Sequence, residues 1–178
     1  IPHLLGVRRG TVDLRTSELL TPGRECFITK TTGVPFDPES QCPRWEDFVL
    51  EIMGGDEELA AFLQRLAGYA LWGCNPEQVV VILYGTGSNG KSTFVSTLQE
   101  VLADYARQID PASLMAARHV SAGGPRDDLV RLYRARYAVA VESGEGDKLD
   151  EGLIKMVSGG DKIYARGMYA KIGIAFTP

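Results

Sequence analysis

The glycine-rich segment at residues 84–94, YGTGSNGKSTF, constrains the fold of this chain more than any other feature. It contains the pattern G-x-x-x-x-G-K-[ST], which begins at Gly85 and ends at Ser92. An apolar, β-branched run precedes the pattern at 79–84, and apolar side chains recur at helical spacing from 94 to 102. A buried strand, a flexible loop and a helix in this order predict an anion-binding loop at a helix N-terminus.

The chemistry of such a loop indicates a nucleotide phosphate. Glycines allow backbone angles that turn successive N–H groups towards an anion, and the helix adds the positive end of its dipole. Lys91 is expected to reach the β- and γ-phosphates, and the Ser92 hydroxyl to ligate Mg²⁺. The residues predicted to bind the nucleotide are Gly85, Thr86, Gly87, Ser88, Asn89, Gly90, Lys91, Ser92 and Thr93.

A second strand supplies the acid that a hydrolysing phosphate-loop protein needs near its Mg²⁺. The run YAVAVE at 137–142 is apolar and ends at Glu142, and Glu145 follows three residues later. Glu142 is the first candidate for holding Mg²⁺ and polarising water, and Glu145 is the second. The alternative is that both acids lie in a solvent-facing loop. With Lys91, they form the predicted catalytic set.

Alternating strands and helices predict an α/β domain around a mainly parallel sheet with flanking helices. Residues 1–42 have the turn-rich composition of an extended lead-in with short strands. Residues 43–76 carry two amphipathic patterns and predict a small helical segment before the main domain. Residues 77–178 are assigned to the phosphate-loop core, with a third strand expected at 171–176.

The charge is uneven along the chain, although the net charge is only −4. Residues 37–77 contain nine acids and two bases, whereas residues 131–178 contain eight bases and six acids. A local basic element is therefore compatible with an acidic protein. No run approaches the roughly 18 apolar residues of a membrane helix, and no signal-peptide pattern begins the chain. We expect a soluble, cytoplasmic protein without a membrane partner.

The basic residues near the end of the chain surround a predicted hairpin. A short helix at 149–157 is followed by a Gly-Gly-Asp turn and an alternating stretch with its tip at Arg166-Gly167. Lys162, Arg166 and Lys171 are interleaved with Tyr164 and Tyr169. Such a hairpin suits phosphates and bases of single-stranded DNA. By composition alone, a solvated hairpin is the better interpretation.

The chain resembles the ATPase region of phage and plasmid primase–helicases, within the superfamily III helicases and related to the poxvirus primase–helicase. The resemblance covers nearly the whole chain and rests on motifs in a fixed order. The lead-in GTVDLRTSELL and the helix CPRWEDFVLEIMGGDEEL come first. The core motifs are LQRLAGYALWG, ILYGTGSNGKSTF, DDLVRLYRARYAVAVESGEG and LIKMVSGGDKIYAR.

The resemblance implies an AAA+-like ATPase that assembles as a homo-oligomeric ring, usually hexameric, and translocates on single-stranded DNA. It assigns Lys91 and Ser92 to the first motif of the family and Glu142 to its acidic strand. It also assigns the DNA-contacting hairpin to 155–171, which favours DNA contact by Lys162, Arg166 and Lys171. The expected function is ATP- and Mg²⁺-dependent DNA unwinding during replication of a phage or plasmid, in the cytoplasm of a bacterial host.

The family pattern continues beyond the hairpin with a polar sensor and then an arginine that reaches a neighbouring subunit's ATP. This chain stops at Pro178, before either, so we expect a truncated form of the ATPase region. Two alternatives stay open. One is a small-molecule kinase with a phosphate loop, and the other is a truncated domain that binds nucleotide or DNA without turnover.

Overall fold

The computed structural model describes residues 1–21, 23, 26–116, 124–141 and 148–178. Within these residues the chain divides into two compact units. Unit 1 consists of Ile1–Gly73 and Ile82–Ala106, and unit 2 consists of Cys74–Val81 and Arg107–Pro178. None of the helices in the described ranges is long and apolar enough to cross a membrane.

Five α-helices and seven short strands occur among the described residues. The helices are α1 (Pro43–Ile52), α2 (Glu57–Leu71), α3 (Lys91–Leu102), α4 (Asp127–Arg131) and α5 (Glu151–Ser158). The strands are β1 (Leu4–Val7), β2 (Gly10–Asp13), β3 (Glu18–Leu20), β4 (Ala106–Ile109), β5 (Tyr137–Ala140), β6 (Ile163–Ala165) and β7 (Ile174–Phe176). Short 3₁₀ turns cover Ala103–Tyr105 and Pro111–Leu114.

The lead-in folds into a three-stranded antiparallel sheet in the order β1-β2-β3. The strands β1 and β2 are buried throughout, and the pairing sets Leu5 opposite Val12. At the end of β2, the buried Asp13 binds Arg15 through both carboxylate oxygens, with Nη2 to Oδ2 at 2.6 Å and Nε to Oδ1 at 3.0 Å. The short strands predicted for this region are confirmed.

The two amphipathic helices of residues 43–76 are confirmed, and their ends have local causes. Pro43 lies in the first turn of α1, where its missing N–H costs no helical hydrogen bond. The Asp56 side chain caps α2 by accepting a hydrogen bond from the Leu59 amide at 3.0 Å. Their apolar faces pack with α3 in a core of Val49, Leu63 and Phe94, where Trp45 stacks on Phe94 at 5.6 Å between ring centroids.

Hydrogen bonds join the segment after β3 to the C-terminal end of α3. The buried Tyr105 hydroxyl accepts a hydrogen bond from the Gly6 amide at 2.9 Å and donates one to the Lys30 carbonyl at 3.0 Å. The Gly33 amide donates to the Val101 carbonyl at 2.8 Å, which satisfies one carbonyl at the helix end. The lead-in is therefore a structural part of unit 1.

Unit 2 is organised around Ile163, whose side chain is fully buried. Strands β4 and β5 form a two-stranded parallel sheet, and β6 and β7 pair antiparallel with Ile163 opposite Phe176. Asp150 caps α5 through the Leu153 amide at 3.0 Å, so the helix predicted at 149–157 is confirmed with slightly shifted bounds. The surrounding core consists of Ile109, Leu129, Leu132, Leu153, Ala165 and Phe176.

The strand predicted at 79–84 is wrong for the structure as described. These residues have no strand pairing, and their side chains are exposed, from 39% for Leu83 to 90% for Tyr84. The physical reason is visible at Val79, whose amide and carbonyl both bind the Asn75 side chain, at 3.2 and 3.0 Å. A β-branched run sets a tendency towards the extended backbone, but only a neighbouring strand completes a sheet.

The described residues thus combine helices with small sheets, of which one pair is parallel. The mainly parallel AAA+-like sheet stays a prediction. The division at residues 42 and 76 also stays a prediction.

Candidate functional site: a phosphate loop and a basic hairpin

The predicted phosphate loop is a series of tight turns that leads directly into α3. Gly85, Ser88 and Gly90 have positive φ angles of 150°, 59° and 82°. The helix begins at Lys91, and Gly90 is its N-cap residue without a side-chain cap. Residues 85–93, all predicted to bind the nucleotide, therefore form one continuous loop and first helical turn.

Gly90 is fixed both by its backbone and by its neighbours. Its φ of 82° lies in the left-handed region, which is costly for residues with a Cβ atom. A Cβ atom at this position would clash with the Ile52 side chain and lie 3.3 Å from Phe48 Cε2. The end of α1 thus packs directly against the turn that starts α3. The sequence predicted the apolar face of α1 but not this contact.

Lys91 folds its side chain back over the loop. Its Nζ atom donates to Asn89 Oδ1 at 2.6 Å and to the Gly85 carbonyl at 3.1 Å. The ammonium group is therefore bound to both ends of the loop, at Gly85 and at Asn89. The Lys91 charge thus lies at the predicted phosphate loop.

The geometry fits a phosphate with Mg²⁺. The first-turn amides of α3 have no carbonyl acceptor within the helix, and no side chain caps them. Ser92 and Thr93 are exposed in that turn, so the Ser92 hydroxyl is accessible to an ion. Free amides, a helix N-terminus and an ammonium group are the parts that anion-binding sites use, and a hydroxyl is an oxygen ligand of the type that Mg²⁺ takes, so the predicted residues fit these groups.

The predicted acids lie outside the described residues. Both Glu142 and Glu145 fall in the range 142–147, so their positions stay predictions. The strand that leads towards them is present as β5, and burial raises the pKa of its first residue, Tyr137. In the ranges that are described, no group of three or more His, Cys, Asp or Glu residues is arranged to hold a metal ion.

The basic hairpin is present in unit 2, but its tip is broader than predicted. Strands β6 and β7 are joined by an eight-residue connection at 166–173, instead of a tight turn at Arg166-Gly167. The tight turn is wrong because β7 begins at Ile174, three residues after the predicted Lys171. Arg166 and Lys171 are exposed on this connection, and Lys162 is exposed just before β6, at the other end of that strand.

A helix that the sequence did not connect with the hairpin holds it in place. The Arg126 amide donates to the Arg166 carbonyl at 2.9 Å, and Asp127 Oδ1 accepts from the Met168 amide at 2.9 Å. Arg126 is itself paired with Asp128 at 2.8 Å. Burial raises the pKa of Asp128, but the Arg126 hydrogen bonds and charge outweigh it, so the net shift is downward. The contacts of Arg126 with Arg166 and of Asp127 with Met168 join residues about forty positions apart, and no local sequence pattern predicts them.

Comparison with known proteins supports the primase–helicase part of the resemblance, and its superfamily stays a prediction. Residues 2–54 match the family described as D5 N terminal like. "Putative helicase 022R" of Frog virus 3 is 31% identical over 115 residues, which is 64% of this chain and 12% of that protein. "Putative helicase L207/L206" of Acanthamoeba polyphaga mimivirus is 25% identical over 179 residues, which is 99% of this chain and 18% of that protein.

A protein of African swine fever virus is also similar. "Putative primase C962R" is 26% identical over 167 residues, which is 90% of this chain and 17% of that protein. The chain therefore spans between 12% and 18% of the length of these three viral relatives. Residues 2–54 therefore resemble the D5 N terminal like family, and larger parts of the chain resemble viral proteins named as putative helicases and as a putative primase.

Proposed function

We propose that this chain is the ATPase region of a DNA helicase of superfamily III type, in which ATP hydrolysis drives movement along single-stranded DNA during replication. The observation that carries the proposal is the phosphate loop at the start of α3. Its left-handed glycine, uncapped helix N-terminus and folded-back Lys91 support the proposal of a triphosphate site.

The names of the viral relatives indicate what the proposed ATP hydrolysis is used for. Two are named as helicases and one as a primase, and both activities act on nucleic acid in replication. An enzyme of DNA replication is the coarser conclusion that these names support. ATP-driven translocation is the more specific proposal. It rests on the phosphate loop and the basic hairpin in addition to these names.

Each candidate residue has a distinct role in this proposal. Lys91 binds the β- and γ-phosphates, and the loop amides of 85–93 surround them. Ser92 and Glu142 hold Mg²⁺, which would neutralise charge on the phosphates, and Glu142 orients the attacking water. Glu145 is the second candidate for that last role.

The hairpin supplies the proposed DNA contact through Lys162, Arg166 and Lys171. Positive side chains on an exposed connection attract the phosphates of a single strand and make binding weaken with salt. We propose that the protein acts as a homo-oligomeric, hexameric AAA+-like ring. The relatives come from viruses of eukaryotes, so a phage origin and a location in a bacterial cytoplasm stay predictions.

The test is ATP hydrolysis by the purified chain, with and without single-stranded DNA, at two salt concentrations. We expect DNA to stimulate turnover and the stimulation to fade at the higher salt concentration. Lys91→Ala should lower turnover by about 100-fold or more, because it removes a positioned charge from the phosphates. Arg44→Ala is the control, since Arg44 is an exposed cation of α1 and has no predicted role in the site.

The alternatives give different results in the same assay. DNA-insensitive transfer of phosphate to a small molecule would favour a kinase. Nucleotide binding that depends on Lys91, without turnover, would favour a binding domain. Unchanged ATP affinity in Lys91→Ala would contradict the phosphate-loop assignment itself.

A further inference from the structure

The connection between β6 and β7 exposes large apolar and aromatic side chains. Met168 is 58% exposed, Tyr169 is 94% exposed and Ile172 is 84% exposed. An exposed side chain gains no free energy from burial. Packing within the described part of the chain therefore does not explain why large apolar residues occur here. Three such residues within five positions form a surface suited to contact with another molecule.

The backbone that carries these side chains is fixed by hydrogen bonds. Asp127 holds the Met168 amide at 2.9 Å, and the Arg126 amide holds the Arg166 carbonyl at 2.9 Å. Within the connection, the Ala170 amide donates to the Gly167 carbonyl at 3.1 Å. Arg166 Nη1 also donates to the Ala170 carbonyl, at 3.3 Å. The exposed ring of Tyr169 therefore stands on an ordered turn.

Tyr169 adopts an unfavourable backbone conformation in this turn. Its φ of 62° lies in the left-handed region, where glycine is favoured and a residue with a Cβ atom is strained. The position thus has an aromatic residue despite the strain and without burial of the ring. Other described residues share a positive φ, so the angle supports a role in binding only together with the exposed ring and the charges beside it.

The charges around Tyr169 select an anionic partner. Lys162, Arg166 and Lys171 are exposed, and Asp161 is the single acid between 161 and 171. On α4, Asp127 contacts the connection through the Met168 amide, whereas Asp128 is paired with Arg126. An exposed aromatic ring flanked by cations is the arrangement that binds single-stranded nucleic acid, by stacking bases and pairing phosphates.

We propose that Tyr169 stacks on a nucleobase of single-stranded DNA and that Asp127 is the positioning residue that fixes its turn. The inference rests on the proposed function and deepens it, because it names the residue that contacts a base. Stacking on a tyrosine ring tolerates any base sequence, since every base presents a π face. A site of this kind suits a protein that moves along a strand.

The experiment measures binding of the whole chain to a fluorescein-labelled oligodeoxythymidylate by anisotropy across a salt series. Tyr169→Phe keeps the ring and should bind like the wild type. Tyr169→Ala and Tyr169→Gly should bind about 5- to 150-fold more weakly, the range that the loss of one stacked base corresponds to. Neither removes a charge, so the dependence of log affinity on log salt should keep its slope.

Two variants separate the stacking role from folding and from charge. Tyr169→Gly relieves the left-handed strain, so its thermal unfolding midpoint should be no lower than that of the wild type while its DNA affinity falls. Lys171→Ala should reduce the magnitude of the salt slope by about 0.7, because a phosphate contact to a single strand releases a counterion.

The role of Asp127 is tested by a conservative pair. Asp127→Asn keeps a side-chain oxygen that accepts from the Met168 amide and should retain affinity, whereas Asp127→Ala should lose it. If Asp127 acts through Tyr169, the double variant Asp127→Ala/Tyr169→Ala should bind no more weakly than Tyr169→Ala alone.

Different results would overturn the inference and the proposed function. Unchanged binding in Tyr169→Ala and Tyr169→Gly, with weaker binding in Lys171→Ala, would overturn base stacking and leave the DNA-dependent function standing. No binding of DNA by the wild type would overturn both. Tighter binding of oligouridylate than of oligodeoxythymidylate would overturn the choice of DNA as the ligand.

Discussion

At the scale of single residues, two positions in the candidate sites have left-handed backbone angles. Gly90 occupies a left-handed position against α1, and Tyr169 occupies another on an exposed turn. The first is suited to glycine and the second is not. The fold explains glycine at the first position, and the proposed contact with DNA would account for tyrosine at the second.

Gly90→Ala should damage both stability and nucleotide binding. The left-handed φ and the clash with Ile52 should lower the free energy of unfolding by about 1–2 kcal/mol. The turn must also shift, so ATP affinity should fall at least tenfold. Gly87→Ala is the matched control for stability, because a Cβ atom there has no neighbour within 4 Å. Urea unfolding and nucleotide titration measure both effects, and equal unfolding midpoints for the two variants would contradict the prediction.

The ion pair of Asp13 with Arg15 leads to a prediction about stability at low pH. The Arg15 side-chain hydrogen bond, aided by the Arg15 amide, holds the pKa of Asp13 well below its usual range. A carboxyl whose pKa is lower in the folded chain stabilises it above the unfolded pKa, about 3.9, and this contribution is lost as pH falls towards the folded pKa. Asp13→Asn should therefore be less stable than the wild type at pH 7, with a gap that narrows below about pH 4. Urea midpoints across this range test it, and a constant gap would refute it.

At the scale of elements, the sequence predicted helices better than strands. The predicted helices α1, α2, α3 and α5 were all found, because proline, aspartate caps and glycine act within one turn. The run 79–84 was predicted as a strand and forms none among the described residues. A helix satisfies its own backbone, whereas a strand depends on a distant partner that periodicity does not specify.

Tyr105 is the clearest case of contact between distant elements. Its hydroxyl joins β1 to the segment around Lys30 near the end of α3. Tyr105→Phe should lower the free energy of unfolding by about 1–3 kcal/mol, because it leaves the buried Gly6 amide without this acceptor. Tyr169→Phe is the control, since its ring is 94% exposed and its hydroxyl should contribute little. Denaturant unfolding measures both, and an equal effect would show that Tyr105 is not a structural link.

At the scale of the whole molecule, the chain divides into two units, and the phosphate loop and the hairpin belong to different ones. Both tryptophans, Trp45 and Trp72, lie in unit 1. Tryptophan fluorescence should therefore report on unit 1, while circular dichroism in the far ultraviolet reports on both. We expect the two midpoints in urea to differ, as they do when a chain does not unfold in one step.

Nucleotide provides the control for that experiment. ATP at about 100 times its dissociation constant should stabilise the unit that binds it by about 2.7 kcal/mol. The fluorescence midpoint should then move to higher urea, because the loop and both tryptophans share unit 1. Superimposable fluorescence and dichroism curves, with and without ATP, would show one cooperative transition instead.

The sequence by itself determined the local parts of this protein. The loop at 85–93, the helix that follows it and the basic residues near 162–171 were all identified from short patterns, because turns, caps and phosphate loops are built from neighbouring residues. The expected roles of Glu142 and Glu145 came from the same kind of pattern and stay predictions.

Only the tertiary structure decided which distant groups meet. It placed Ile52 against Gly90, Tyr105 between Gly6 and Lys30, and Asp127 beneath the turn that carries Tyr169. No local pattern encodes these pairs, because each depends on packing and hydrogen bonding between segments far apart in the chain. Periodicity gives the face that a residue occupies, and the folded chain decides what that face contacts.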